Sequence, residues 1–382
     1  MKKIPKKVWI LGLVSLFNDI GSEMLYPILP IFITQVLKAP VAVLGVIEGV
    51  AEGASSLFKT IFGHLSDKLQ KRKPFVAYGY ISSAIAKTLI AFSRIWPVVF
   101  FGRVLDKFGK GLRTGARDAL LLEAANKKNK GLIFGFHRAL DSAGAFIGPS
   151  ITLILLLIFK RNIFHILYIA IIPSFLALFF LSFIKETTKK QKKPEKIKLF
   201  LSLKSLSPKL KLFLLIIAIF TLGNSSDVFL ILRAQNIGLS LTFTVGAYIL
   251  YNFVFALFST PAGVLADKIG AKRVFLYGIL IYSIVYLGFA VNKNPLMVYL
   301  LFAIYGLYIA FTDGVSKALI GEYIKPKDAG TAYGVLQTVI SVFTLFASVI
   351  AGIIWSRFSP GATFIFGAFC SLLAYFLFLI FA

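Results

Sequence analysis

Gly63-His64-Leu65-Ser66-Asp67-Lys68 recurs 200 residues later as Gly263-Val264-Leu265-Ala266-Asp267-Lys268. Each copy is the polar end of a long apolar segment, and each is followed by another such segment. The repeating unit is therefore larger than a loop. A second pair, Ala119-Leu120-Leu121 and Ala318-Leu319-Ile320, recurs at an offset of 199. Two matches at nearly one offset divide the chain into halves with the same order of segments.

Working outward from these loops, apolar runs near the roughly 20 residues that a helix needs to cross a bilayer fall at 8–36, 41–63, 74–93, 97–119, 132–158 and 163–184. Six more fall at 211–235, 241–263, 274–291, 296–320, 331–354 and 361–381. The expected fold is all-α and integral to the membrane: twelve transmembrane helices in two pseudo-symmetric six-helix halves, 1–184 and 211–382, joined by a basic linker at 185–210. Composition agrees. Of 382 residues 58% are hydrophobic and 15% charged, and the mean hydropathy is +0.84, which excludes a soluble domain. The net charge of +26 is spread over short lysine clusters between apolar runs, which excludes a nucleic-acid-binding domain. The single cysteine, Cys370, excludes disulfides and a cysteine-based metal site within one chain. MKKIPKKVWILGLVSLFNDIG has a basic leader, but its apolar run continues to about Val36 with no small-residue cleavage site, so it reads as the first membrane helix.

Loop charges orient the helices. With the N-terminus inside, the inner loops hold Lys2 to Lys7, Lys68 to Lys73, Lys127 to Lys130, the linker, Lys268 to Arg273, Lys325 and Lys327. The outer loops hold Lys38, Arg94, Lys160, Arg161, Lys293 and Arg357. This bias predicts a multi-pass protein of the cell's inner (plasma) membrane with both termini cytoplasmic. Trp9, Trp96 and Trp355 fall at predicted span ends, where indole rings favour the headgroup layer.

The loops GHLSDKLQKRK and GVLADKIGAKR resemble the signature that follows the second and eighth helices in the major facilitator superfamily. Gln70 stands where that signature has a glycine. In the fifth span Gly144-Ala145-Phe146-Ile147-Gly148-Pro149 resembles the antiporter motif of the family's efflux members, without the glycines that usually follow the proline. Asn18 to Glu23, Gly109 to Thr114 and Gly135 to Arg138 resemble a prokaryotic branch that includes proposed nickel-resistance exporters, although the histidine-rich tail expected of one is absent. The resemblance implies that the first, fourth, seventh and tenth helices line a central cavity. It also implies a gating role for Gly63, Asp67, Arg72, Gly263, Asp267 and Arg273. A carboxylate at an inner helix end is stabilised by the positive N-terminal dipole of another helix. Asp67 is expected near the start of the eleventh span and Asp267 near the start of the fifth.

Charge inside a membrane helix costs roughly 2.5–3.5 kcal/mol on insertion scales, so intramembrane ionisable groups are functional candidates. The N-terminal spans hold seven acids, Asp19, Glu23, Glu48, Glu52, Asp106, Asp118 and Asp141. Eight bases accompany them: Lys59, Lys87, Arg103, Lys107, Lys110, Arg113, Arg117 and Arg138. Arg103, Lys107, Lys110, Arg113 and Arg117 are spaced as a stripe on one helix face. Such a stripe cannot face lipid. The cavity candidates are Asp19, Glu23, Arg103, Asp106, Lys107 and Lys110, with Glu48, Glu52 and Asp141 as further candidates for a substrate or proton site. In the other half Asn224, Ser226 and Asp227 form the matching wall. Either these charges bind substrate and protons, or they form a permanently paired network that fixes helix packing. Gly45, Gly49 and Gly53, together with Gly144, Gly148 and Pro149, read as close-packing positions, and Tyr26 to Pro30 and Gly148-Pro149 as kinks in the first and fifth helices. His137, one turn from Asp141, is a candidate proton relay.

The function expected is secondary active transport by alternating access, proton-coupled and outward, of a small cationic compound or metal ion. An uptake carrier for a small organic anion is the alternative, and a membrane-embedded enzyme or sensor the rival of a different class. The chain lacks HExxH, GxSxG and P-loop sequences. No cofactor is expected, whether a metal binds is left open, and the partners are substrate, protons and lipid around a monomer.

Overall fold

The computed structural model describes residues 4–69, 71–125, 130–159, 162–184, 208–322 and 329–381. Among them there is no strand. The first half contains α1 (Lys6–Leu25), α2 (Leu29–Ile31) followed by a π-helical turn (Phe32–Val36), α3 (Val41–Leu69), α4 (Lys73–Phe92), α5 (Trp96–Ala124), α6 (Lys130–Ile158), α7 (Ile163–Ile169) and α8 (Ile171–Ser182). The second contains α9 (Pro208–Gly223), α10 (Val228–Ile237), α11 (Leu241–Ile269), α12 (Ala271–Val291), α13 (Pro295–Glu322), α14 (Ala329–Arg357) and α15 (Pro360–Phe381).

Eleven helical segments among the described residues are long and apolar enough to cross a membrane. The twelfth span is α5, whose 29 residues carry the basic stripe and so fall short on apolarity. Prolines stand in the first turns of α4 and α5, where the missing N–H has no helical partner to lose. The Asn162 side chain caps α7 by accepting from the Phe164 amide at 3.1 Å. Gly238 closes α10 at φ 115°, and Gly270 separates α11 from α12 at φ 94°, a backbone region that a Cβ disfavours. Gly270 is the counterpart of Gln70, which lies outside the described residues.

One span bends where its prolines predict, and another departs from a continuous helix. The first bends at Tyr26–Ile28 and continues through α2 into the π-turn, as its two prolines require. The seventh is broken: Asn224, Ser225 and Ser226 are non-helical and Asp227 stands at the N-cap of α10. By contrast α6 runs through Pro149.

The chain divides into two compact units, Met1–Lys38 with Ala54–Ile197, and Ala39–Gly53 with Lys198–Ala382. The opening turns of α3 thus belong with the second unit. Within the first, α1 packs on α6 and α8, and α4 on α5 and α8. Within the second, α9 packs on α14 and α15, and α12 on α13 and α15. The pairings are the same when spans are exchanged between halves. One contact shows the repeat at atomic scale: a Cβ on Gly79 would lie 2.6 Å from Cβ of Arg113, and one on Gly278 would lie 2.5 Å from Cγ2 of Thr312. Both pairs are related by 199 residues. The first unit's core joins Val8, Leu11 and Val14 of α1 to Val76 and Tyr80 of α4, Leu120 of α5 and Leu181 of α8. Large apolar side chains such as Phe101, Leu157, Ile172 and Phe369 are exposed, the arrangement a lipid-facing surface needs.

Candidate functional site

Each unit holds one polar cluster, and the two differ in kind. In the first unit it is ionic. Lys87 of α4 is buried, with Nζ 3.2 Å from Oδ1 of Asn18 on α1 and 3.9 Å from Oδ1 of Asp106 on α5. The Asn18 amide in turn donates to Asp19 at 3.2 Å. Arg113, also buried, donates to Ser83 Oγ at 2.6 Å and lies 4.6 Å above the Tyr80 ring. Arg117 donates to Ser15 at 2.9 Å and pairs with Asp118 at 3.3 Å and Asp141 at 3.9 Å. His137 Nδ1 is 3.6 Å from the same Asp141 oxygen. Asp106 Oδ1, Asp141 Oδ1 and His137 Nε2 are buried without a hydrogen-bond partner, a costly state for polar atoms away from water.

The helices that carry these groups are brought close by small residues. A Cβ on Gly144 would lie 3.0 Å from Cβ of Asp19, and one on Gly148 would lie 2.8 Å from Cβ of Glu23, so the two glycines seat α6 against the acidic face of α1. Arg103 and Lys107 are buried on α5, and Arg103 sits 5.9 Å from the Tyr26 ring centre. Lys110 is exposed. The stripe is thus partly distributed among Ser, Asp and aromatic partners, rather than facing the acids as one surface.

In the second unit the cluster is aromatic around one carboxylate. Asp227 stands at the break between α9 and α10. Tyr305 donates to its Oδ1 at 2.7 Å and Tyr251 to its Oδ2 at 3.2 Å. Asn224 donates to Tyr308 at 2.8 Å, and Ser225 Oγ lies 3.5 Å from the Tyr286 hydroxyl. The rings form one group: Tyr282 stacks on Tyr286 at 4.0 Å, Tyr282 meets Tyr308 at 4.8 Å, Tyr305 meets Tyr308 at 5.1 Å and Tyr251 meets Tyr305 at 5.3 Å. Glu48, buried on the opening turns of α3, accepts from Ser226 Oγ at 3.4 Å, while Glu52 follows one turn later, half-buried. The break itself is satisfied by neighbours, since Tyr282 donates to the Gly223 carbonyl at 2.7 Å and the Ser226 amide donates to Ser348 at 3.2 Å. Among the described residues no three His, Cys, Asp or Glu side chains gather as a metal site.

The repeated loops are unequal. Arg72 is buried and donates to Ser66 Oγ at 2.8 Å. The second copy has Ala266 in place of Ser66, and there Asp267 and Arg273 are exposed. A Cβ on Gly115 of α5 would lie 3.0 Å from the Gly63 Cα, whereas one on Gly314, its counterpart on α13, would meet open space. The Asp67 side chain lies outside the described residues.

Sequence reading ranked Asp19, Asp106, Asn224, Ser226 and Asp227 and left Lys87 and the tyrosines unranked. A signal for the latter is present: Tyr248 and Tyr251, Tyr282 and Tyr286, and Tyr305 and Tyr308 are pairs at helical spacing on three successive spans. The repeat offset shows what they replace. Lys87 and Asp106 correspond at 199 residues to Tyr286 and Tyr305, whose rings stack at 6.5 Å.

The model of the Major Facilitator Superfamily matches residues 11–255 and again 212–382. An uncharacterized MFS-type transporter of Methanocaldococcus jannaschii is 38% identical over 379 residues, covering 98% of this chain and 94% of that one. The class H tetracycline resistance protein of Pasteurella multocida is 28% identical over 192 residues, or 49% of this chain and 46% of that one. Among solved structures the nucleoside transporter NupG superposes with a TM-score of 0.83 at 14% identity, covering 98% of both chains.

Proposed function

The chain belongs to the Major Facilitator Superfamily, and we propose that it exports a small organic cation in exchange for protons. Family and relatives make it a membrane transporter working by secondary transport. Substrate, direction and coupling are the proposal. The observation that carries it is Asp227, held by two phenol hydroxyls inside a group of stacked tyrosines at the break of the seventh span. A carboxylate among ring faces attracts an ammonium by charge and by the ring quadrupoles, about 2 kcal/mol per ring when desolvated. Broken membrane helices are a recurrent way of building such sites. Outward movement is supported by the relative named for tetracycline resistance, because resistance follows when a compound is removed from the cell.

Arg103 and Lys107, buried together on α5, support a second reading, uptake of a small organic anion. In either case the protein works as a monomer in the inner membrane with both termini cytoplasmic, a placement that the loop charges support. The repeated loops, Asp67 and Asp267 among them, hold its inner gate.

Proteoliposomes decide between the readings. With an acidic lumen, radiolabelled tetraethylammonium enters and the lumen turns alkaline as it does so. If tetraethylammonium stays outside while labelled benzoate is driven across, the anion reading replaces the cation reading. Failure of both overturns the assignment of substrate class.

A further inference from the structure

The Lys87–Asp106 pair joins α4 to α5 at a crossing that the second unit builds with Tyr286 and Tyr305. Uncharged rings therefore suffice to pack this pair of helices, and the buried charges need another reason, since desolvating an ion pair is rarely repaid by its mutual attraction. Lys87 also reaches a third helix. Its ammonium donates to Asn18 Oδ1 at 3.2 Å, nearer than Asp106 at 3.9 Å, and the Asn18 amide in turn donates to Asp19 at 3.2 Å. One amide side chain thus separates Lys87 from a second carboxylate.

Gly21 brings α1 close to α8 beside the lysine stem: a Cβ there would lie 2.8 Å from the Ala170 carbonyl oxygen and 2.9 Å from Oγ of Ser174 on α8, and in ordinary contact, at 3.5 Å, with Cε of Lys87. The Ser174 hydroxyl is buried and has no hydrogen-bond partner. Like the Lys87 stem, it packs against Gly21.

We propose that Lys87 is a transferable counter-ion: paired with Asp106 in this conformation, it moves to Asp19 in the alternate one, and its arrival expels the coupling proton from Asp19. This rests on the reading of the chain as a proton-coupled transporter. The balance is simple. The Asp19 O–H bond breaks, the proton leaves to water, the electron pair stays on the carboxylate and Lys87 remains an ammonium throughout. Arg103, Lys107 and Arg113 then remain beside Asp106 as its counter-charges. The groups acting on Asp19 are Asp141 from α6 and Lys110, Arg113 and Arg117 from α5, with Asp19 and Lys87 also acting on each other from α1 and α4. His137 and Arg138 lie on the same helix as Asp141, and Ser174 of α8 contributes no charge. The cluster loses one positive charge per proton released, which matches the uptake of one cation on the antiport cycle.

The test needs no substrate. Infrared difference spectra of the full chain in liposomes, taken between about pH 5 and about pH 7, read carboxylic C=O stretching directly. The native protein should show a band that disappears at the higher pH, and Asp19→Asn should lack it. In Lys87→Gln the band should persist at both pH values, so the difference signal is lost, and Lys87→Arg should restore it. Lys87→Tyr, which copies Tyr286 of the other unit, should elute and melt as a folded protein and behave like Lys87→Gln. A native difference band in Lys87→Gln and Lys87→Tyr removes Lys87 from the mechanism, and a native band in Asp19→Asn removes Asp19. Because no transported compound enters the measurement, a failed tetraethylammonium assay leaves this result standing.

Discussion

Gly45 of α3 and Gly352 of α14 touch backbone to backbone: a Cβ on either would lie 3.1 Å from the other's Cα. Gly49 and Gly53 continue the contact one and two turns on, against Leu345 and Ser341. The Ala42 amide closes it by donating to Ser356 at 3.0 Å.

Leucine at Gly45 or Gly352 should therefore overpack this seam. The expected cost is about 1–3 kcal/mol, read as a lower unfolding midpoint in detergent, with loss of transport in liposomes. Leucine at Gly263, where a Cβ meets open space, should leave the midpoint unchanged. Equal effects at the two places would show that α3 does not depend on close approach.

Asp227→Asn should reduce tetraethylammonium transport at least about tenfold, since it removes the charge that holds the cation. Tyr305→Phe should do less. The ring stays in the stack and the Tyr251 hydrogen bond remains, while one of the two hydrogen bonds to the carboxylate is lost. Transport by Asp227→Asn at the native rate would move the site elsewhere.

Ser83→Ala tests whether the ionic unit depends on its satisfied partners. Arg113 is buried and donates to Ser83 at 2.6 Å, so the substitution strands a guanidinium N–H and should cost about 1–3 kcal/mol. Thermal unfolding of the purified protein measures it. Ser316→Ala, at an exposed hydroxyl that donates to the Asp313 carbonyl of its own helix, is the control and should fall within about 0.5 kcal/mol of the native protein.

Topology can be read by single-cysteine labelling. Cys370 is buried, so a cysteine introduced in the linker at 185–210 reports on a nearly silent background. Reaction with an impermeant maleimide should require disruption of the cells. Labelling in intact cells would reverse the orientation deduced from the loop charges.

The architecture was legible because a span of about 20 apolar residues is a local property of sequence, and because Gly63 to Lys68 and Gly263 to Lys268 mark the repeat. The pairing of His137 with Asp141 followed from helical spacing alone. Other features depend on partners far along the chain. The packing of Gly45 and Gly49 needs α14, about 300 residues away, and nothing near α3 announces it. Asn224 to Asp227 read as part of a helix because what makes the break tolerable lies on α12 and α14. Lys87 looked like one base among eight until the repeat set it opposite Tyr286.

The interrupted seventh span has a consequence for biogenesis. Peptide groups freed inside hydrocarbon must find partners, and those of Gly223 and Ser226 find them in Tyr282 and Ser348, which leave the ribosome 59 and 122 residues later. When this segment first enters the bilayer those partners do not yet exist. It must insert as an unbroken helix and open after α12 and α14 have arrived, so the Asp227 cluster matures late, and a chain truncated before α14 would carry its residues without their arrangement.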